Sequence, residues 1–199
     1  MPDSNRLFIA SDVSPKVLDA LVEVQRTLAR EPASRSLRWV GRNQIHITLR
    51  FLGEIPPAKN AMIISALDAA AAGFTPFEVE VLGLGFFPNP SHPRVIWAGI
   101  SQPGRLIALA DSVENRVAPI AGAADKKFRA HLTLARVGDN IPADQLIPLT
   151  AACQAMHNLS FGKILVDKLV LYRSTLHPDG PVYTSLHQSI FSSNHIIGG

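Results

Sequence analysis

Two stretches of this 199-residue chain hold residues that could do chemistry, and they are near copies of each other. The first, "HITLRFLGE", starts at His46; the second, "HLTLARVGD", starts at His131. His46 and His131, Thr48 and Thr133, Leu49 and Leu134, and Gly53 and Gly138 match identically, while Leu52 with Val137 and Glu54 with Asp139 match in kind. With 7 histidines in the chain, chance predicts roughly a quarter of one His-x-Thr. Two copies sharing a leucine, a glycine and an acid are therefore a repeated unit.

The spacing carries a geometry. Side chains of a strand alternate faces, so His46 and Thr48 share one face while Ile47 and Leu49 enter a core, and His131 and Thr133 likewise stand opposite Leu132 and Leu134. Each strand then offers an imidazole and a hydroxyl about 6 to 7 Å apart, at a rise of roughly 3.3 Å per residue. Two such strands can line two walls of one cleft. Displacement at a phosphodiester uses a base for the attacking oxygen, an acid for the departing one, and donors around the non-bridging oxygens. Imidazole, ordinarily near pKa 6.5, fills either proton-transfer role. In-line geometry calls for two imidazoles on facing walls, roughly 7 to 9 Å apart, with the threonines donating to phosphate. A zinc site is the rival reading, but there is no H-E-x-x-H, no cysteine cluster and no evident third ligand, so neither metal nor cofactor is expected.

The elements that must position these residues alternate between strand and helix patterns, which makes the class α+β. "RLFIA" reads as a strand. Ser14 and Pro15 open a helix whose stripe is Val17, Leu21, Val24 and Leu28, ending about Arg30. "LRWV" and "IHITLRFL" are strands; prolines 56 and 57 introduce a helix over 58–72, closed by Gly73. "FEVEVLGLG" alternates by two, "FFPNPSHP" reads as a proline-rich loop, and "RVIWAGI" as a strand. Leu106, Leu109, Val113 and Val117 mark another helix, followed by "HLTLARV", a helix over 143–155, one long strand near 164–172 and a last strand over 182–191.

Composition sets the frame. Hydrophobic residues make up 47% of the chain, enough for one large domain or two small lobes, and no apolar run approaches the roughly 20 residues of a membrane span. The start, "MPDSNRLFIASD", lacks the basic and apolar pattern of an export signal, and the lone Cys153 reads as a buried helix residue in a reducing compartment. A soluble cytoplasmic protein, acting as a monomer, is the expectation. The net charge of +3 leans on arginine, whose fork suits phosphate, though a solvated basic surface explains that balance as well. Lys126, Lys127 and Arg129, with Phe128 among them, could follow an RNA backbone or form an exposed turn. His92, His157, His177, His187 and His195 have no partner spacing and read as surface or structural residues.

On these residues the chain resembles the 2H phosphoesterase superfamily, whose signature is a pair of H-x-T/S-x motifs, and more narrowly the RNA 2',3'-cyclic phosphodiesterases, also called 2'-5' RNA ligases. "RLFIA", "RWV", "ITLRFLGE", "LGLGFFPNP", "PRVIWAGI", "FRAHLTLAR" and "LVLYRSTLHPDGPVYTSL" follow that family's order over nearly the whole chain. Ala130 departs from it, since proline usually precedes the second motif histidine. The resemblance implies a single domain over 1–199 of two lobes with pseudo-two-fold symmetry, antiparallel sheets lining a central cleft and helices outside. It further implies hydrolysis of RNA 2',3'-cyclic phosphate ends, or of small cyclic-phosphate nucleotides, to 2'-phosphates. In that reading His46 is the proton donor, His131 the acceptor, Thr48 and Thr133 the phosphate donors, and Arg136 a further phosphate contact. Tyr172 and Ser174 match a family segment near the cleft. Regular alternation objects to Arg136, which would face away from His131, and favours Arg50, which would share the face of His46. Either a bulge turns Arg136 inward or it binds from the strand's end. Ligation, another phosphodiester, or plain RNA-end binding remain open alternatives.

Overall fold

Among the described residues, nine strands gather into two antiparallel sheets, and four helices cover their outer faces. The computed structural model describes residues 5–139, 141–178 and 180–192. The first sheet has the order β3-β1-β8-β9, built from β1 (Asn5–Ser11), β3 (Ile47–Ile55), β8 (Lys168–His177) and β9 (Gly180–Ile190). The second has the order β2-β6-β5-β4-β7, from β2 (Leu37–Trp39), β4 (Phe77–Phe87), β5 (Val95–Ser101), β6 (His131–Val137) and β7 (Ser160–Val166). The repeated units thus lie on different sheets, one in β3 and one in β6.

The helices exchange sides. Helix α1 (Pro15–Leu28) follows a strand of the first sheet but packs on β7 of the second, beside α4 (Ala143–Ala155). Helix α3 (Gly104–Ala121) follows β5 of the second sheet but packs on β3 of the first, beside α2 (Asn60–Ala71). The apolar stripes account for this: Val17, Leu21, Val24 and Leu28, and Leu106, Leu109, Val113 and Val117, are all buried, and each row lies on one helix face. Burying an aliphatic side chain of this size stabilises by about 1.5 to 3 kcal/mol, so the exchanged helices tie the two sheets into one core.

Two expectations need correction. The long strand near 164–172 is two strands broken at Asp167, and β4 runs through Phe86 and Phe87, which the proline-rich loop had claimed. Among the described residues no helix is long and apolar enough to cross a membrane. His195 lies outside the described residues.

Candidate active site

A three-residue turn, Arg42–Gln44, delivers the chain to His46, one residue before β3. Gln44 is fixed at both ends of its side chain: its Oε1 accepts from the Gly41 N–H at 3.2 Å and its Nε2 donates to the Pro181 carbonyl at 2.6 Å. Its backbone carbonyl accepts from His46 Nδ1 at 2.7 Å. His131 repeats the arrangement, with Nδ1 at 2.7 Å from the carbonyl of Arg129, also two residues back. A carbonyl only accepts, so Nδ1 carries a proton in both rings, and in the neutral form Nε2 keeps its lone pair. Protonated, the same Nε2 becomes a donor. The two imidazoles are thereby set in one tautomer, ready to accept or release a proton at the same atom.

Aromatic side chains wall each imidazole. His46 stacks on Phe8 with centroids 4.9 Å apart and meets the Tyr183 ring edge-on at 5.4 Å. Phe8 also touches Tyr172 and Tyr183, at 5.3 and 4.8 Å, and Phe51 at 5.9 Å. Across the cleft His131 meets Phe87 at 4.9 Å, and Phe87 in turn lies 5.2 Å from Trp97 and under the Arg129 guanidinium. Trp97 lies opposite Thr133 on β5, hence on the same face, and its indole is laid flat over glycines: a Cβ on Gly85 would stand 2.3 Å from it.

These surroundings set the charge of the site. Burial holds the His46 pKa down at about 4, against a bond to the Gln44 carbonyl and the Asp12 charge, which both raise it; His131 is near enough to depress it further. Burial also lowers the His131 pKa, opposed by its bond to the Arg129 carbonyl. On the protein's own groups, then, both imidazoles are neutral near pH 7. Tyr172 donates to Asp12 Oδ1 at 2.6 Å, and burial with that bond pushes its hydroxyl well above the usual tyrosine range. Ser174 lies opposite Tyr183 on the same face.

The arginines are decided by bulges. In β6 the pairing with β5 runs Thr133 to Trp97 and Ala135 to Ile96, leaving Leu134 as an extra residue. Leu134 and Ala135 both enter the core, and Arg136 emerges exposed on the face of His131 and Thr133. Its charge reaches Tyr183, which touches His46. The carboxamide of buried Gln25, on α1, holds this bulge: Nε2 donates to the Leu134 carbonyl at 2.9 Å and the Val40 carbonyl at 2.8 Å. In β3 the pairing with β1 runs Thr48 to Ala10 and Arg50 to Ile9, leaving Leu49 extra. The same bulge therefore turns Arg50 the other way, onto the helix side.

Arg50 does not share the face of His46, contrary to the regular alternation. Its Nε donates to Glu114 of α3 at 2.5 Å and its other nitrogens to the carbonyls of Gly122, at 2.6 Å, and Phe51. Phe51 takes the cleft-facing place that Arg136 holds in the other unit, 62% exposed. Phe128 packs against the core, while Lys126, Lys127 and Arg129 are exposed. Of the remaining histidines, His187 bonds Asp68 at 2.7 Å and His157 bonds the Gln154 carbonyl, while His92 and His177 are exposed. Cys153 is buried on α4, its thiol pushed up to about 12. Among the described residues no three His, Cys, Asp or Glu side chains converge as metal ligands would. The aromatic wall, Trp97 and the Gln25 brace were not read from the sequence. Strand aromatics ordinarily read as core, and only the flanking glycines at 85 and 99 could have signalled a ring laid across the sheet.

The family model for LigT-like phosphoesterases matches residues 12–97 and 99–183, each span holding one His-x-Thr unit. The RNA 2',3'-cyclic phosphodiesterase of Archaeoglobus fulgidus is 34% identical over 181 residues, 91% of this chain and 97% of that protein. The enzyme of the same name from Thermotoga maritima is 31% identical over 96% of this chain and 98% of its own length. A crystal structure from Thermus thermophilus superposes with a TM-score of 0.78 at 33% identity, covering 96% of this chain and all of that one. Escherichia coli LigT in its apo form shares the fold, with a TM-score of 0.73 at 23% identity over 96% of this chain and 99% of that one. With the model covering both halves and relatives about one-third identical along nearly its full length, this chain belongs to the LigT-like phosphoesterase family.

Proposed function

We propose that this protein hydrolyses 2',3'-cyclic phosphate at RNA ends to the 2'-phosphate, without a metal, by proton transfer between the two imidazoles. The observation that carries the reading is the matched pair: each Nδ1 is bound to the carbonyl two residues back, leaving each Nε2 as the proton-carrying atom. The curated relatives named RNA 2',3'-cyclic phosphodiesterase support the substrate, as do crystal structures of Escherichia coli LigT with phosphate and with 3'-AMP.

In the proposed step His131 Nε2 takes a proton from water as its oxygen bonds to phosphorus. The bond from phosphorus to the ribose O3' breaks, and His46 Nε2 gives its proton to that oxygen. The hydroxyls of Thr48 and Thr133 donate to the non-bridging oxygens, and Arg136 stabilises the charge that gathers on them. His46 must be protonated to act as the acid, and the phosphodiester supplies the reason: its negative charge lifts the imidazole pKa. The ring packed between Phe8 and Tyr183 responds most, because little water screens that field. Phe51, open on the cleft face, offers a surface on which a base can stack.

The test is hydrolysis of a short RNA ending in a 2',3'-cyclic phosphate, with chelator present. His46→Ala and His131→Ala should each lower the rate by about 10² to 10⁴, and the product should carry a 2'-phosphate. Turnover that needs added metal, or that survives either substitution, would overturn the two-histidine reading; binding without turnover would make the cleft an RNA-end receptor.

A further inference from the structure

On the edge strand β2, Arg38 lies directly opposite Arg136 of β6. Paired residues of an antiparallel sheet share a face, and their Cβ atoms stand about 4.5 to 5.5 Å apart. Leu37, 7% exposed, and Trp39, packed against the core, take the other face. Arg38 therefore projects on the side to which the β6 bulge turns Arg136, and both are exposed.

Like charges placed directly opposite repel. Other arginines of this chain are paired with carboxylates: Arg42 with Asp19 at 2.7 Å, Arg50 with Glu114 at 2.5 Å, and Arg94 with Asp139. Arg38 and Arg136 have no ion pair or hydrogen bond among the described residues. Two unpaired planar forks side by side on the cleft face form a receptor for phosphate oxygens. Arg136 lies on β6, the strand that carries His131, and its charge reaches Tyr183 beside His46. Arg38 stands one strand further out.

We infer that Arg38, beside Arg136, holds the phosphodiester immediately 5' of the reacting end, so that the protein favours a polynucleotide end over a mononucleoside cyclic phosphate. The inference rests on the cyclic phosphodiesterase reading above. It makes Arg38 a specificity residue that never touches the reacting phosphorus.

The experiment compares two substrates with the parent protein and Arg38→Gln, a change at an exposed position that leaves the core intact. One substrate is a short RNA ending in a 2',3'-cyclic phosphate, the other a mononucleoside 2',3'-cyclic phosphate, which lacks the 5' phosphodiester. On the RNA, kcat/KM should fall about tenfold, through KM, as one charge-assisted contact is lost. Its logarithmic salt slope should shrink by about 0.7, one phosphate contact on a single strand. On the mononucleotide the two proteins should agree within about twofold, since no contact is removed. An equal fall on both substrates, or no fall on either, would overturn the inference while leaving the hydrolase reading intact. If the parent turned over neither substrate, the hydrolase reading itself would fail. Affinity for the same RNA, read by fluorescence anisotropy, would then decide, and an affinity unmoved by Arg38→Gln would refute the contact.

Discussion

Acid should destabilise this fold through His46. The imidazole sits in the folded protein with a pKa of about 4, against an ordinary 6.5. A lowered folded value means that the unfolded chain binds the proton first, so the stability present above pH 6.5 drains away as the pH falls towards 4. At about 1.4 kcal/mol per pH unit the full gap is worth about 3 kcal/mol, of which about 2 kcal/mol falls between pH 7 and pH 5. The ring is half-buried and its cleft edge meets solvent, which makes about 2 kcal/mol the ceiling. Urea unfolding of the parent and of His46→Gln, each at pH 7 and pH 5, isolates the effect, because the other ionisable groups are common to both proteins. The variant should lose less stability than the parent across that interval, by up to about 2 kcal/mol. The same acid-induced loss in both proteins, within about 0.5 kcal/mol, would refute the claim that packing against Phe8 and Tyr183 keeps this imidazole neutral. The consequence for function is direct: inorganic phosphate bound at the cleft should return part of the lost stability at pH 5, since an adjacent anion favours the protonated ring.

Two further substitutions probe the scaffold of the site. Gln25→Met keeps the side-chain length but removes the amide that bonds the Leu134 and Val40 carbonyls; it should cost about 1 to 2 kcal/mol and, by loosening the bulge that aims Arg136, lower kcat/KM about tenfold. Urea titration and the cyclic phosphate assay check the two parts. Gly85→Ala would place a Cβ 2.3 Å from the Trp97 indole, so the ring must move off the sheet; a loss of about 1 to 3 kcal/mol and a shifted tryptophan emission are expected, and an unchanged spectrum would contradict the packing.

The His-x-Thr units could be read from the sequence because a spacing of two has one meaning in a strand, whatever surrounds it. The helices were legible for a similar reason: the stripes on α1 and α3 repeat with helical period and are buried where the period places them. Regular alternation fails for Arg50 because one extra residue reverses every later side chain, and the bulge that the sequence left open for Arg136 is the one that turns it to the cleft. No glycine or proline marks either bulge; the extra residue is an ordinary buried leucine. The break at Asp167 was signalled only by a lone aspartate among strand-forming residues, without the glycine or proline that usually marks a strand end. Phe86 and Phe87 were lost to the loop because the prolines that follow them outweighed two strand-forming rings.

The identical leucines of the two units are thus more than core residues. Each is the unpaired member of its bulge, and each bulge converts the sequence after His-x-Thr-Leu into one core-facing position followed by one cleft-facing position. In β3 those positions hold Arg50 and Phe51; in β6 they hold Ala135 and Arg136. One unit sends its cation to the helices and its ring to the cleft, while the other buries a methyl group and sends its cation to the cleft. Polar side chains from exchanged helices secure both choices, Glu114 of α3 on Arg50 and Gln25 of α1 on the Leu134 carbonyl. A duplicated backbone device therefore puts a ring, Phe51, on one wall and a guanidinium, Arg136, at the equivalent place on the other. In the proposed reaction that difference would let a cleft built from two copies of one unit distinguish the two ends of an asymmetric ligand.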